Sequence, residues 1–139
     1  KLAPNVTSIG PFAKAAENCG ADAVSIMNSY PAMAINIETL RPELANRSGG
    51  LSGPAIKPIA IKLVWDAAKA TKLPIIGMGG IFEPEDAIEF MIAGAAAVAV
   101  GTANFVDPST VGRVLDGIES YLVRKGHSSI EDIVGTVQA

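Results

Sequence analysis

The sequence predicts an α/β fold, the C-terminal half of a (β/α)8 TIM barrel. Three observations carry this. Short apolar runs alternate with segments of helical periodicity, which is the pattern of parallel strands linked by crossover helices. Glycine turns stand directly after the last two apolar runs, where such barrels commonly hold phosphate. The chain has 139 residues, about half of the ~250 that a full barrel takes. Residues 1–139 are therefore expected to be a single partial domain carrying strands 5 to 8, opening in mid-element as a fragment. A small doubly wound sheet is the structural rival, because periodicity alone does not separate closed from open sheets.

Lys1-Leu2-Ala3 reads as the end of a strand, turned by Pro4-Asn5-Val6. Thr7 or Ser8 can cap a helix with Ile9, Phe12, Ala13, Ala16 and Cys19 at helical spacing, ended by Gly20. Residues 23–27 form a short strand that closes at Asn28-Ser29. Near 31–46, the alternating segments 34–37 and 43–45 predict a hairpin excursion. Then comes Arg47-Ser48-Gly49-Gly50-Leu51-Ser52-Gly53-Pro54-Ala55-Ile56-Lys57-Pro58, a glycine-rich loop. Pro54 or Pro58 suits a first helical turn, and residues 59–70 continue it as a helix with Ile59, Leu63 and Ala67 on one face. A strand at 74–78, a helix at 84–93 ended by Gly94, a strand at 97–100, a helix near 111–124 and a short one at 129–137 complete the order. A faint repeat supports it: Cys19-Gly20-Ala21-Asp22-Ala23-Val24 and Ala93-Gly94-Ala95-Ala96-Ala97-Val98 both read helix end, Gly-Ala, strand.

Apolar residues make up 49% of the chain and charged residues 18%. No apolar run approaches the ~20 residues that span a bilayer, so strands buried on both faces account for the richness. A net charge of −3 leaves no basic footprint for nucleic acid. The single cysteine, Cys19, excludes an internal disulfide and fits a reducing compartment; on its helix it is expected to be structural. His127 lies in a polar stretch and is expected at the surface.

Glycines before a helical turn let the backbone come close to a ligand, and free N–H groups there can seat an anion or a polar ring edge. Gly77-Met78-Gly79-Gly80 and Gly101-Thr102 repeat the device after the last two strands. Taken together, Lys1-Leu2-Ala3-Pro4-Asn5, Asn28-Ser29, the Gly49–Pro58 run, Gly77-Met78-Gly79-Gly80 and Val100-Gly101-Thr102-Ala103 resemble the dihydroorotate dehydrogenase family, and within it the class 1B catalytic subunit. The resemblance covers nearly the whole chain. It implies an FMN-binding barrel that oxidises dihydroorotate to orotate in de novo pyrimidine (UMP) biosynthesis. It further implies a cytoplasmic oxidoreductase working as a homodimer with an iron–sulfur FAD electron-transfer subunit that uses NAD.

The resemblance also assigns residues. Lys1 corresponds to a lysine beside the flavin's N1–C2=O edge, where a cation stabilises the reduced ring. Met27 corresponds to a backbone contact to FMN, and Gly53, Gly79, Gly80, Gly101 and Thr102 to FMN-binding positions. Asn28 and Ser29 correspond to the substrate pair; a carboxamide offers the donor and acceptor that a pyrimidine ring requires. Thr is common in the family where Ser29 stands, and both carry a hydroxyl. The catalytic base lies upstream of Lys1 in the family, so no catalytic residue is assigned here and the chain alone is expected to be inactive. Two alternatives stay open: a flavin domain of the dihydropyrimidine dehydrogenase type, and a non-flavin barrel binding a sugar phosphate. As a half barrel with open strand edges, the isolated chain is also expected to self-associate or to pair with the missing half.

Overall fold

The computed structural model describes residues 1–138; position 139 of the expected domain lies outside them. Leu2 makes one parallel bridge to Ile26, and its N–H donates to the Ser25 carbonyl at 2.9 Å. Helix α1 (Gly10–Asn18) packs through Ile9 and Ala13. Its entry differs from expectation: Ile9, not Thr7 or Ser8, is the N-cap, and no side chain caps the helix. Phe12 faces outward, one step round from Ala13. The helix stops before Cys19 completes another turn, so this thiol is exposed and has no packing role. Gly20 turns the chain at φ +84° into strand β1 (Val24–Ile26).

The excursion is longer and differently paired than the sequence suggested. β2 (Tyr30–Ala32) pairs antiparallel with β5 (Gly49–Leu51), enclosing an inner ribbon of β3 (Ile35–Asn36) and β4 (Arg41–Pro42). The returning inner arm is therefore 41–42 rather than 43–45, and part of the glycine-rich loop is strand. The absent side chain of Gly50 explains this: a Cβ there would collide with the Ser29 side chain. Tyr30 ties the ribbon down, its hydroxyl donating to the Pro4 carbonyl at 3.2 Å.

A 3₁₀ turn (Pro54–Ile56) leads into α2 (Lys57–Ala70), with both prolines in first turns as expected. The buried stripe is Ala60, Leu63, Val64 and Ala67, an i, i+3, i+4, i+7 pattern. Ile59, expected on that face, lies one residue off it and is 43% exposed. β6 (Ile75–Met78), α3 (Pro84–Ala93) and β7 (Ala97–Ala99) follow close to prediction. Two short helices then depart from it. α4 (Ala103–Val106) is additional, and the last expected helix is only a 3₁₀ turn (Ile130–Asp132). Gly135 at φ +71° breaks it. The tail instead donates from Gly135 and Val137 to the Met91 and Ile92 carbonyls, giving Met91 a second donor beside Gly94 and Ile92 a partner at the end of α3. α5 (Thr110–Lys125) ends at Gly126 in the left-handed region, and His127 beside it is half-buried.

β1, β6 and β7 pair in parallel in that order, with the Leu2 bridge on the outer side of β1. Sheet order thus equals chain order and never reverses. Right-handed crossovers then place every helix on one face, which is barrel geometry; a doubly wound sheet reverses direction to cover both. The helices shield Val24, Ile26, Ile75, Val64 and Phe90, all nearly inaccessible. Phe90 lies so close to the strand that a Cβ on Gly77 would come within 2.6 Å of its ring. Among the described residues no helix is long and apolar enough to cross a membrane.

Candidate functional site

Because β1, β6 and β7 run the same way, their carboxyl ends open on one edge of the sheet. A cavity of about 180 Å³ lies there. Met27, Asn28 and Ser29 line it after β1, Gly79 and Gly80 after β6, and Gly101 and Thr102 after β7. The sequence-predicted residues Gly53 and Lys1 are not part of its wall. Gly53 is buried directly behind Gly80, its carbonyl oxygen 2.7 Å from where a Gly80 Cβ would stand. Lys1 is exposed on the strand edge, one residue before the Leu2 bridge. Ser52, Met78 and Phe82 also line the cavity and were missed. Ser52 carried a signal, a hydroxyl inside the glycine-rich run. Met78 and Phe82 gave none beyond adjacency to glycine.

The lining divides by chemistry. Gly79 and Gly80 take φ +122° and +80°, conformations natural only to glycine, and turn main chain toward the cavity in place of side chains. Opposite them Thr102 donates its hydroxyl to Ser52 Oγ at 2.9 Å, joining the turn after β7 to the glycine-rich run. Met27 supplies apolar floor and is buried; its N–H donates to the Met78 carbonyl at 3.3 Å. Asn28 is exposed on the wall and Ser29 half-buried beside it. Main-chain donors with a hydroxyl suit an anion, and a carboxamide above an apolar floor suits a flat, hydrogen-bonding ring.

The strongest charges stand behind the wall. Lys57 Nζ donates to Asp86 at 2.7 Å and to Glu89 at 2.9 Å. Asp86 also accepts the Phe82 and Glu83 N–H groups, each at 2.9 Å. Burial works to raise the Asp86 carboxyl, but the hydrogen bonds from Lys57 and from the Glu83 and Phe82 backbone together outweigh it and hold its pKa below 3.8. The bond to Asp86, then that to Glu89, raises Lys57 above 10.5. For a depressed carboxylate, stability is present above the ordinary value and lost as pH falls through the lowered one; for the raised lysine, it is lost only as pH climbs past 10.5. Melting temperatures of the full-length protein and its Asp86→Asn variant are therefore expected to differ by a constant amount from pH 5 to 8, and the gap to close only below the ordinary aspartate value of 3.8. A gap closing already between pH 5 and 6 would refute this assignment of the charge.

A parallel sheet laid down in chain order, with its cavity at the carboxyl ends of the strands, defines part of a (β/α)8 barrel and the edge on which such barrels keep their active sites. Residues 1–122 match the family model of dihydroorotate dehydrogenase, and the chain belongs to that family. The dihydroorotate dehydrogenase B (NAD(+)) catalytic subunit of Caldicellulosiruptor bescii is 56% identical over 137 residues, 99% of this chain and 46% of that protein. The subunit of the same name from Bacteroides fragilis is 51% identical over 138 residues, again 99% and 46%. A crystal structure of DHODH from Eimeria tenella in complex with ferulenol superposes with a TM-score of 0.79 at 32% identity, covering 96% of this chain and 36% of that one. The chain thus spans about half the length of the curated relatives it matches.

Proposed function

We propose that the full-length protein oxidises dihydroorotate to orotate in pyrimidine biosynthesis, with FMN as its resident cofactor and residues 1–139 as strands 5 to 8 of the barrel. The observation that carries this is the meeting of Asn28-Ser29 with two glycine turns around one cavity, in a chain of this family. The residues fit a flavin phosphate: Gly79 and Gly80 meet the cavity with main chain alone, a Cβ on Gly80 would press against Gly53 and Lys57 behind the turn and displace it, and a Cβ on Gly101 meets nothing within 4 Å. Gly79, Gly80, Gly101 and Thr102 would hold that phosphate, with Gly53 backing the turn. Met27 would face the ring, and Lys1 would lie toward its polar edge once the barrel is completed by preceding strands.

When bound, FMN supplies a two-electron acceptor for the hydride that leaves the substrate as its C–C bond becomes a double bond. Asn28 orients the pyrimidine by accepting from a ring N–H and donating to a ring carbonyl, and the Ser29 hydroxyl adds a second anchor. The proton leaving the neighbouring carbon goes to a base outside this chain. The names of the relatives support a catalytic subunit that works with an NAD-linked partner; we assign an iron–sulfur FAD subunit to that role, a homodimer to the catalytic half, and the cytoplasm as its location.

Uracil reduction is the second reading, since a dihydropyrimidine dehydrogenase site would present a similar amide to a similar ring. Purified full-length enzyme is expected to release FMN on denaturation and to reduce an artificial electron acceptor with dihydroorotate, not with dihydrouracil. Preference for dihydrouracil would move the assignment to the second reading, and a flavin-free protein would overturn both.

A further inference from the structure

Gly80 is held from behind by a residue that does not line the cavity. A Cβ on Gly80 would stand 2.9 Å from Lys57 Cβ and 3.0 Å from the Lys57 main-chain nitrogen, so the Lys57 stem lies along the back of the glycine turn. Its ammonium continues away from the cavity to Asp86 and Glu89. Asp86 grips the next part of the same turn through the Phe82 and Glu83 N–H groups. On the other side of that peptide, the Phe82 carbonyl accepts from Arg113 at 3.0 Å, and Arg113 is fixed in turn by Asp107 at 2.8 Å. Residues 80–83 are thereby clamped at both ends by charged groups from α2, α3 and α5.

We infer that Lys57 and Asp86 are positioning residues for the anion cradle: they hold the Gly79-Gly80 turn in its binding shape without touching the ligand. This inference rests on the proposal that the turn receives the flavin's phosphate. A turn with glycine at two successive positions has many conformations available and loses them on binding; one already fixed does not, and the difference appears as affinity. The arrangement also answers an electrostatic difficulty. A carboxylate so near an anion seat opposes binding, but Asp86 spends its charge on Lys57 and on two main-chain donors. Removing the Lys57 ammonium therefore both loosens the turn and leaves an uncompensated negative charge behind it.

A cradle effect and a general loss of stability differ in one measurable respect, the preference for FMN over riboflavin, which lacks the phosphate. Flavin-stripped full-length enzyme can be titrated with both by flavin fluorescence. Lys57→Met keeps the stem on Gly80 and loses the ammonium; it is expected to lower the FMN-over-riboflavin preference about tenfold, through FMN affinity alone. Asp86→Asn is expected to act in the same direction, and Lys57→Arg to restore the preference to within about threefold of the unchanged enzyme, since the cation returns. Should Asp86→Asn fail to fold, the two Lys57 variants decide the matter. An unchanged preference in folded Lys57→Met, or an equal loss of FMN and riboflavin affinity, overturns the inference. Equal binding of the two flavins by the unchanged enzyme overturns the phosphate placement itself, and the clamp with it.

Discussion

Full-length enzyme carrying Gly80→Val is expected to be recovered without flavin. Gly80 sits at φ +80°, where a residue with a Cβ loses roughly 1–2 kcal/mol, and a β-branched one suffers most. The new Cβ would approach the Gly53 carbonyl oxygen to 2.7 Å, and a main-chain oxygen cannot swing aside as a flexible side chain does. The turn must move as a unit and carry its donors out of the cradle. Gly101→Ala is the counterpart: nothing lies within 4 Å of its Cβ, so the variant is expected to fold normally and to lower flavin retention only by crowding the cavity. Flavin-to-protein ratios from visible absorbance check both. A folded Gly80→Val enzyme with a full complement of flavin would show that this turn does not face the cofactor.

Asn28→Ala is expected to reduce kcat/KM for dihydroorotate by tenfold to a hundredfold with flavin retained. Losing one partner of a hydrogen bond that becomes buried on binding costs roughly 1–3 kcal/mol, and that cost reads directly as lost transition-state stabilisation. The cofactor is expected to stay because the glycine turns are braced by Gly53, Lys57 and Asp86, not by the Asn28 carboxamide. Steady-state kinetics with the flavin content measured on the same sample separates the two effects. Catalytic efficiency within twofold of the unchanged enzyme would remove Asn28 from the substrate site.

Sequence periodicity located the sheet strands and the long helices because their apolar spacing is strong: Ile75-Ile76 and Val98 alternate with the helical stripes of α2 and α3. It failed where side-chain pattern is not what decides structure. The pairing of β2 with β5 depends on an absent side chain at Gly50 meeting Ser29, which no propensity records. Ile59 and Ala60 are neighbours in a mostly apolar stretch, so the buried face could not be resolved to one residue. The wall of the cavity was legible wherever glycine or a polar pair follows a strand. The bracing behind it was not, because Lys57 and Asp86 lie 29 positions apart and each reads alone as an ordinary surface charge on a helix.

The hydroxyl contact between Thr102 and Ser52 spans 50 positions, about as many as the pairing of Val24 with Ile75 in the sheet, but it joins a residue beyond the last sheet strand. During synthesis these two features have different timing. Each strand of the sheet has its partner available as soon as it leaves the ribosome, so the framework can be laid down progressively from the amino-terminal side. The wall that closes the cavity waits for Thr102, and the tail that covers the end of α3 waits for Val137. A nascent chain halted before residue 102 would therefore own much of its framework and most of the cavity's lining but not the contact that closes it, which makes completion of the wall a late event in the life of the polypeptide.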